Sequence, residues 1–332
     1  IINFETGNPA RMQDFSWIHK EVKNPSYDIN LVHINADHFP TAVHELPPHV
    51  FEGRYTIGHW SWEMPEIPPE WMPAFEYVDE VWVPSDFVKR AVEQFTDIPV
   101  VTIPFSVDIH ADNSFSKEYF GIPENAFCFL YMYDRSSIQE RKNPQATLDA
   151  FKSAFEPEDT GVCLVLKVMN ATVSEISNLQ STIGKWQNVI ILEGVHQRHE
   201  ITALLTLIDC YVSLHRSEGF GLTPAEAMCL GKSTIITHWS GSTDYMNAHN
   251  CISIDYQLVE LQKDYGPYRK GQYWAEPNLE MAAEAMVMLR ENPEIAQKIG
   301  AEGQKTIKTQ FSPEAIGARI AERLHSIRRI QA

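Results

Sequence analysis

The sequence predicts an α/β protein built as two doubly wound domains, and three observations carry the prediction. Short apolar runs rich in β-branched residues alternate with helix-forming stretches along most of the chain, the pattern of β-α-β units with parallel strands. The alternation is interrupted at Ile103-Pro104-Phe105-Ser106-Val107-Asp108 and then resumes. A chain of 332 residues is long enough for two separate cores.

Before the interruption, Ile29 to Ile34 reads as a strand, Tyr55 to Ile57 as a second, Glu80 to Val83 as a third and Pro99 to Ile103 as a fourth. Ser85 is placed to cap a helix over Asp86 to Phe95. The proline-dense run Met64 to Pro73 reads as a surface loop near the sheet's edge. After the interruption, Ser114 to Glu124 reads as connecting structure, followed by a strand from Phe127 to Tyr133 and a helix from Pro144 capped by Asn143. Strands are then expected over Val162 to Val168, Val189 to Leu192 and Thr234 to Thr237, with helices over Ser174 to Ile183 and Glu200 to Leu207. Ser312 to Ile330 closes the chain as an amphipathic helix with arginines near its end, the charge sign a helix C-terminus favours; membrane attachment is the less favoured reading. The expected domains are 1–110 and 111–310, with a final helix over 311–332.

At 44% hydrophobic and 21% charged, the chain is ordinary globular material. No apolar run approaches the roughly 20 residues that span a bilayer, and no signal peptide is visible. The chain opens Ile1-Ile2 without Met, so a start further upstream is expected. Five cysteines without C-x-x-C spacing suggest reduced thiols and a cytoplasmic protein, with contact at the inner face of the membrane left open. The net charge of −17 argues against broad nucleic-acid binding and against a wholly membrane-facing surface. An anionic ligand would need basic residues gathered at one site.

The most informative stretch is Asp209 to Ser233, DCYVSLHRSEGFGLTPAEAMCLGKS. Cys210 to Leu214 reads as a buried strand, broken at Ser217-Glu218-Gly219-Phe220-Gly221. Thr223 as cap and Pro224 in the first turn predict a helix over Ala225 to Leu230, stopped by Gly231. One carboxylate, Glu218, thus sits in a glycine loop at a strand's carboxyl end, and Glu226 sits about one turn into the next helix. Helix-start N–H groups suit phosphate and paired carboxylates suit sugar hydroxyls, so the ligand is expected to be part phosphate and part sugar. Taken alone, two acids at this spacing mean little, and a solvated loop acid with a dipole-favoured helix acid is the favoured reading.

Glu218 and Glu226, seven residues between them, with the surrounding S-E-G-F-G-L-x-P-x-E-A-M, resemble the E-x7-E signature of the retaining glycosyltransferases of family 4. The resemblance covers most of Tyr55 to Thr243. The family's opening strand and Gly-rich loop, on the acceptor side, are not visible. It implies the GT-B architecture, two Rossmann-like domains facing each other across a cleft, with the final helix returning to the first domain and hinges near Asp108 and Phe311-Ser312-Pro313. It also implies that a Lys and an Arg after the second domain's first strand pair with the donor's diphosphate. Lys142, just before Asn143-Pro144 and expected to be exposed, fits the Lys; Arg135 fits the Arg, with Arg141 as the alternative. The alternative for Lys142 is a solvated basic loop. Glu218 would bind hexose hydroxyls and Glu226 the ribose, while backbone N–H groups of Gly219, Phe220 and Gly221 meet the sugar and Leu222 and Thr223 lie nearer the phosphates.

In the first domain, Tyr55-Thr56-Ile57-Gly58-His59-Trp60-Ser61-Trp62-Glu63 resembles the segment whose strand-end His meets the transferred sugar, which makes His59 the candidate; a structural His is the alternative. Trp60 could stack on a sugar face, although buried packing is favoured. Ser240-Gly241 resembles a second loop at the same site, with a turn supported by Asp244 as the alternative. Gly231-Lys232-Ser233 fails as a P-loop because Glu226 stands where a Gly is required. With Pro224 at the third position, Gly219-x-Gly221 is weak evidence for dinucleotide binding. No Asp-x-Asp pair and no zinc spacing occur, so the expected reaction is metal-independent and needs no cofactor. The sequence thus points to a transferase moving a hexose from a GDP- or UDP-sugar to a saccharide, glycan or lipid-linked acceptor. A nucleotide-sugar epimerase and a non-catalytic donor-binding relative are the alternatives.

Overall fold

The computed structural model describes residues 1–4 and 16–331. The chain divides into two compact units, Ile1–Pro104 and Phe105–Ala332, each with its own parallel sheet.

The first unit contains β1 (Ile29–Val32), α1 (Phe39–Glu45), β2 (Tyr55–His59), β3 (Glu80–Val83), α2 (Asp86–Glu93) and β4 (Val100–Thr102). Its strands run parallel in the order β1-β2-β3-β4. Strand β3 is buried at every residue, as a strand covered on both faces must be. Its Glu80 is tolerated there because Tyr55 Oη (2.9 Å) and Trp82 Nε1 (2.6 Å) both donate to the carboxylate. Ser85 caps α2, accepting from Val88 N at 3.3 Å. The run Met64 to Pro73 departs from the expected surface loop. Met64, Ile67 and Trp71 are buried, and residues Pro69–Tyr77 form a 3-10 helix. Trp71 meets Trp60 and Trp62 edge-on at 5.9 and 5.1 Å, so the proline-rich segment supplies core rather than covering it.

The second unit contains β5 (Phe127–Asp134), α3 (Gln139–Lys142), α4 (Pro144–Ala154), β6 (Val162–Met169), α5 (Val173–Ile183), β7 (Val189–Glu193), α6 (Arg198–Leu207), β8 (Cys210–Ser213), α7 (Leu222–Cys229), β9 (Ser233–Thr237) and β10 (Ile252–Ile254). There follow β11 (Tyr256–Glu260), β12 (Tyr273–Pro277), α8 (Leu279–Glu291), α9 (Pro293–Gln310) and α10 (Pro313–Gln331). The main sheet is parallel, in the order β10-β9-β8-β5-β6-β7, and β11 with β12 forms a separate antiparallel hairpin. From β5 the chain builds outward through β6 and β7, then crosses back to lay β8, β9 and β10 on the other side. Strand order therefore reverses between β5 and β8, and the crevice at their carboxyl ends is where such sheets hold ligands.

Two expected caps differ in detail. Helix α7 begins at Leu222 with Gly221 at its cap position (φ 80°), so Thr223 is already inside the helix. Pro224 is tolerated at the third helical position because its missing N–H belongs to a turn whose donors have no partner within the helix. Asn143 precedes α4 as expected, but in the left-handed region (φ 54°) and without a side-chain capping bond.

Replacing Ser85 by Ala should remove the α2 cap and lower the stability of the first unit by about 1 kcal/mol. A lower urea midpoint at unchanged slope checks this.

Candidate active site

Strand β5 delivers one half of the site. After Asp134 the chain makes a 3-10 turn over Arg135–Ser137, with Asp134 accepting from Ser136 N at 2.8 Å. Ile138 (φ 55°) and Asn143 (φ 54°) then bracket the single turn of α3, both in the left-handed region that side chains rarely adopt. The turn is bonded internally: Arg141 N (3.1 Å) and Lys142 N (3.2 Å) donate to Ile138 O, and Asn143 N donates to Gln139 O at 2.8 Å. Tyr131, buried on β5, donates its hydroxyl to Lys142 O.

Strand β8 delivers the other half, and both cations of the turn converge on it. Lys142 Nζ lies 2.5 Å from Glu218 Oε1, and Arg141 Nη1 lies 3.1 Å from Glu218 Oε2. Arg141, only 3% exposed, also donates to Ser217 O at 2.8 Å. Burial alone would push the Glu218 carboxyl up, but Lys142 and Arg141, with His215 behind them, outweigh it and hold it at about 2. His215 is wholly buried, and burial lowers it to about 4 despite the nearby carboxylate. It bridges Ser213 Oγ (3.0 Å) and Trp239 O (3.2 Å).

The glycine loop is pinned from the β9 side. Glu218 N donates to Ser240 Oγ at 2.8 Å, Gly241 N to Glu218 O at 2.8 Å, and Tyr245 Oη to Gly221 O at 2.8 Å. A Cβ on Gly241 would stand 2.0 Å from Gly219 O, so only glycine permits this approach. Glu226 is buried on α7, with Arg198, the first residue of α6, 2.5 Å from its Oε1. A cavity of about 30 Å³ beside Lys142, Glu218, Gly221, Leu222 and Thr223 leaves room for little more than water.

The structure thus brings together Lys142, Arg141, Glu218, Gly219, Gly221 and Ser240. Arg135 is turned toward α5, where it pairs with Glu175. Lys142 is not an exposed lysine but a half-buried one committed to a carboxylate. The Phe220 side chain is buried against Phe105, Tyr245 and Phe311, and Leu222 is exposed. In the first unit, His59 is buried, stacks on His33 at 4.5 Å and faces Ile103 O at 3.4 Å. Burial first, and then the His33 ring, lower it to about 4. Trp60 has no exposed surface and packs among Phe39, Trp71 and Phe75.

Arg198 and Lys167 are among the residues that escaped the sequence reading. Arg198 on Glu226 has no motif to announce it. Lys167 did leave a signal, as a charge inside the apolar run of β6. It is buried, donates to Gly194 O at 2.5 Å, and is lowered to about 8 by burial, against the pull of Asp134 and Glu200.

Residues 114–306 match the family described as glycosyl transferases group 1, a stretch holding both the Arg141-Lys142 turn and the Glu218 to Glu226 segment. Over 225 residues the chain is 28% identical to the serotype-specific mannosyltransferase WbdA of Escherichia coli, covering 63% of this chain and 27% of that protein. The chain therefore spans about a quarter of the length of the curated relatives it matches. Among solved structures, a glycosyltransferase from Rickettsia africae superimposes with a TM-score of 0.69 at 15% identity, over 90% of this chain and 76% of that one. The Anabaena protein HepE, crystallised with UDP and glucose, gives 0.67 at 17% identity over 90% and 78%. At these identities the likeness shows a shared α/β fold.

The Glu218 carboxyl is held below its ordinary value of 4.5, so its ion pairs stabilise the fold fully above that pH and fade as pH falls toward about 2. Compared with Glu218→Gln, the wild type should be more stable by on the order of 3 kcal/mol at neutral pH. The gap should narrow through the acid window, which denaturant unfolding at a series of pH values reads directly.

Proposed function

The chain belongs to the glycosyl transferases group 1 family, and on that premise we propose that it is a retaining, metal-independent hexosyltransferase whose second unit holds a nucleotide-diphosphate sugar. The observation that carries the proposal is the convergence of Lys142 and Arg141 on Glu218 where the strand order reverses. As the glycosidic bond breaks, charge gathers on the departing diphosphate, and preorganised cations lower the barrier by meeting it. Lys142 would turn from Glu218 to the diphosphate. Arg141 takes the second cationic role because it shares the carboxylate, whereas Arg135 is engaged by Glu175.

Glu218, ionised at neutral pH, would accept hydrogen bonds from the hexose hydroxyls. Glu226 would exchange Arg198 for the ribose hydroxyls. Backbone N–H groups of Gly219 to Gly221, with Leu222 and Thr223, would face sugar and phosphates. His59 as a contact to the transferred sugar belongs to the same proposal and is tested by His59→Ala turnover. Metal independence rests on side-chain cations standing where diphosphate charge would fall, and on a sequence without an Asp-x-Asp pair. The named mannosyltransferase relatives support mannose, and HepE crystallised with UDP and glucose supports a nucleotide-linked hexose more generally. GDP- and UDP-hexoses are therefore the donors to try, with saccharide, glycan or lipid-linked acceptors. No helix among the described residues is long and apolar enough to cross a membrane.

Incubation with GDP- and UDP-hexoses, with and without oligosaccharide acceptors, should release nucleotide fastest with acceptor present and give product of unchanged anomeric configuration. A folded wild type that releases nucleotide from none of them, or an inverted product, would sink the reading. Lys142→Ala should cut turnover by about two to three orders of magnitude. Because Lys142 compensates a buried carboxylate, the same change should also cost about 1–3 kcal/mol of stability, to be read by denaturant unfolding.

A further inference from the structure

We propose that the β11–β12 hairpin is a clamp on the Arg141-Lys142 turn, acting through Arg216, Glu276 and Tyr268 as positioning residues, and that it thereby sets affinity for the donor's diphosphate. The second half of this inference rests on the donor reading above.

The turn needs holding. It is bracketed by two non-glycine residues at positive φ, and one of them, Ile138, is β-branched. Such residues are strained and persist only where the surroundings enforce them. Its own amide bonds close a single helical turn, too short to be stable alone.

The hairpin supplies the enforcement at several points. Arg216, two residues before Glu218, donates to both oxygens of Glu276 on β12, from Nε at 2.6 Å and Nη2 at 3.0 Å. The same guanidinium donates from Nη1 to Glu140 O at 2.7 Å, inside the turn. Its backbone bonds both ways too, N to Arg141 O at 2.8 Å and O from Ala275 N at 2.9 Å. Arg216 also lies 5.3 Å over the Trp274 ring. One arginine thus ties β12 to the carbonyls of the two residues preceding Lys142.

The hairpin tip makes the second attachment. Tyr265 and Tyr268 exchange backbone hydrogen bonds at 2.9 and 3.1 Å, closing a tight end. This places the buried Tyr268 ring 5.9 Å from the Arg141 guanidinium, and Gly266 against Ile138 Cδ1. The tip therefore bears on the strained residue and on the buried cation together. The hairpin lies outside the six-stranded sheet, so these contacts can be loosened without removing a strand from it.

The test compares Tyr268→Ala combined with Glu276→Gln, and Tyr268→Phe alone, with the wild type as full-length chains. In the nucleotide-free protein, hydrogen exchange of the amides of Arg141, Lys142 and Asn143 should accelerate about tenfold or more in the double variant, with β8 and β9 unchanged. By calorimetry, the ratio of GDP to GMP affinity, or of UDP to UMP, should fall about tenfold or more while monophosphate affinity holds within about twofold. Tyr268→Phe, which keeps the ring face, should stay closer to the wild type than to the double variant in both readouts. Unchanged exchange at 141–143 overturns the clamp, and a parallel loss of mono- and diphosphate affinity overturns the positioning role in favour of a merely structural one. A wild type that binds no nucleotide overturns the donor reading and the diphosphate half of the inference, while the exchange data still decide the clamp.

Discussion

The second unit is organised around one electrostatic constraint, a buried carboxylate that must be compensated where it stands. Glu218 lies at the carboxyl end of β8, below the protein surface, and an isolated charge there would cost several kcal/mol. Lys142 and Arg141 remove that cost, because β5 is the neighbour of β8 and the turn that follows it is bracketed by two residues at positive φ. The strain at Ile138 and Asn143 is the local expense of presenting two consecutive cations to one carboxylate. Removing Glu218 would take away the carboxylate that both cations share, whereas removing Lys142 would leave Glu218 compensated by Arg141 alone.

The same constraint accounts for how the loops are built. Loops over a sheet usually tolerate variation, yet here nearly every backbone group flanking Glu218 is bonded to a defined partner. Ser240 holds its N–H, Gly241 its carbonyl, Tyr245 the carbonyl of Gly221, and Arg216 the carbonyls of Glu140 and Arg141. Fixed dipoles and fixed charges do not have to reorganise when a ligand's charge develops, which is the condition for electrostatic stabilisation. A site assembled from rigid loops on a parallel sheet meets that condition better than mobile surface lysines would.

Local sequence made most strands legible, because continuous apolar runs such as Val162 to Met169 have few other uses in a globular chain. It put Arg135 ahead of Arg141, since spacing counts residues along the chain, whereas in the fold Arg135 meets Glu175 and Arg141 meets Glu218, with the positive-φ residue Ile138 between them. The cap of α7 moved from Thr223 to Gly221 for a similar reason: Tyr245, distant in sequence, bonds the Gly221 carbonyl and fixes that residue at positive φ. The hairpin was hidden because β11 is half exposed and its connection to β12 is longer than the short turns that signal a hairpin. Helix α8 is different. Asn278 as cap and the Ala- and Met-rich run behind it are a plain local signal, so nothing physical concealed it.

The overall charge makes the local arrangement more telling. A chain with 27 basic and 44 acidic side chains repels anions at long range. Screening confines that repulsion to about 8 Å at physiological salt, so an anionic ligand that reaches the crevice feels chiefly the groups lining it. There, two cations face one carboxylate, and the amides of the glycine loop and the start of α7 add partial positive charge. That local pairing holds only while the turn carrying Arg141 and Lys142 keeps its shape. On the donor reading proposed above, recognition of a phosphate by this acidic protein would depend on backbone geometry as much as on residue type.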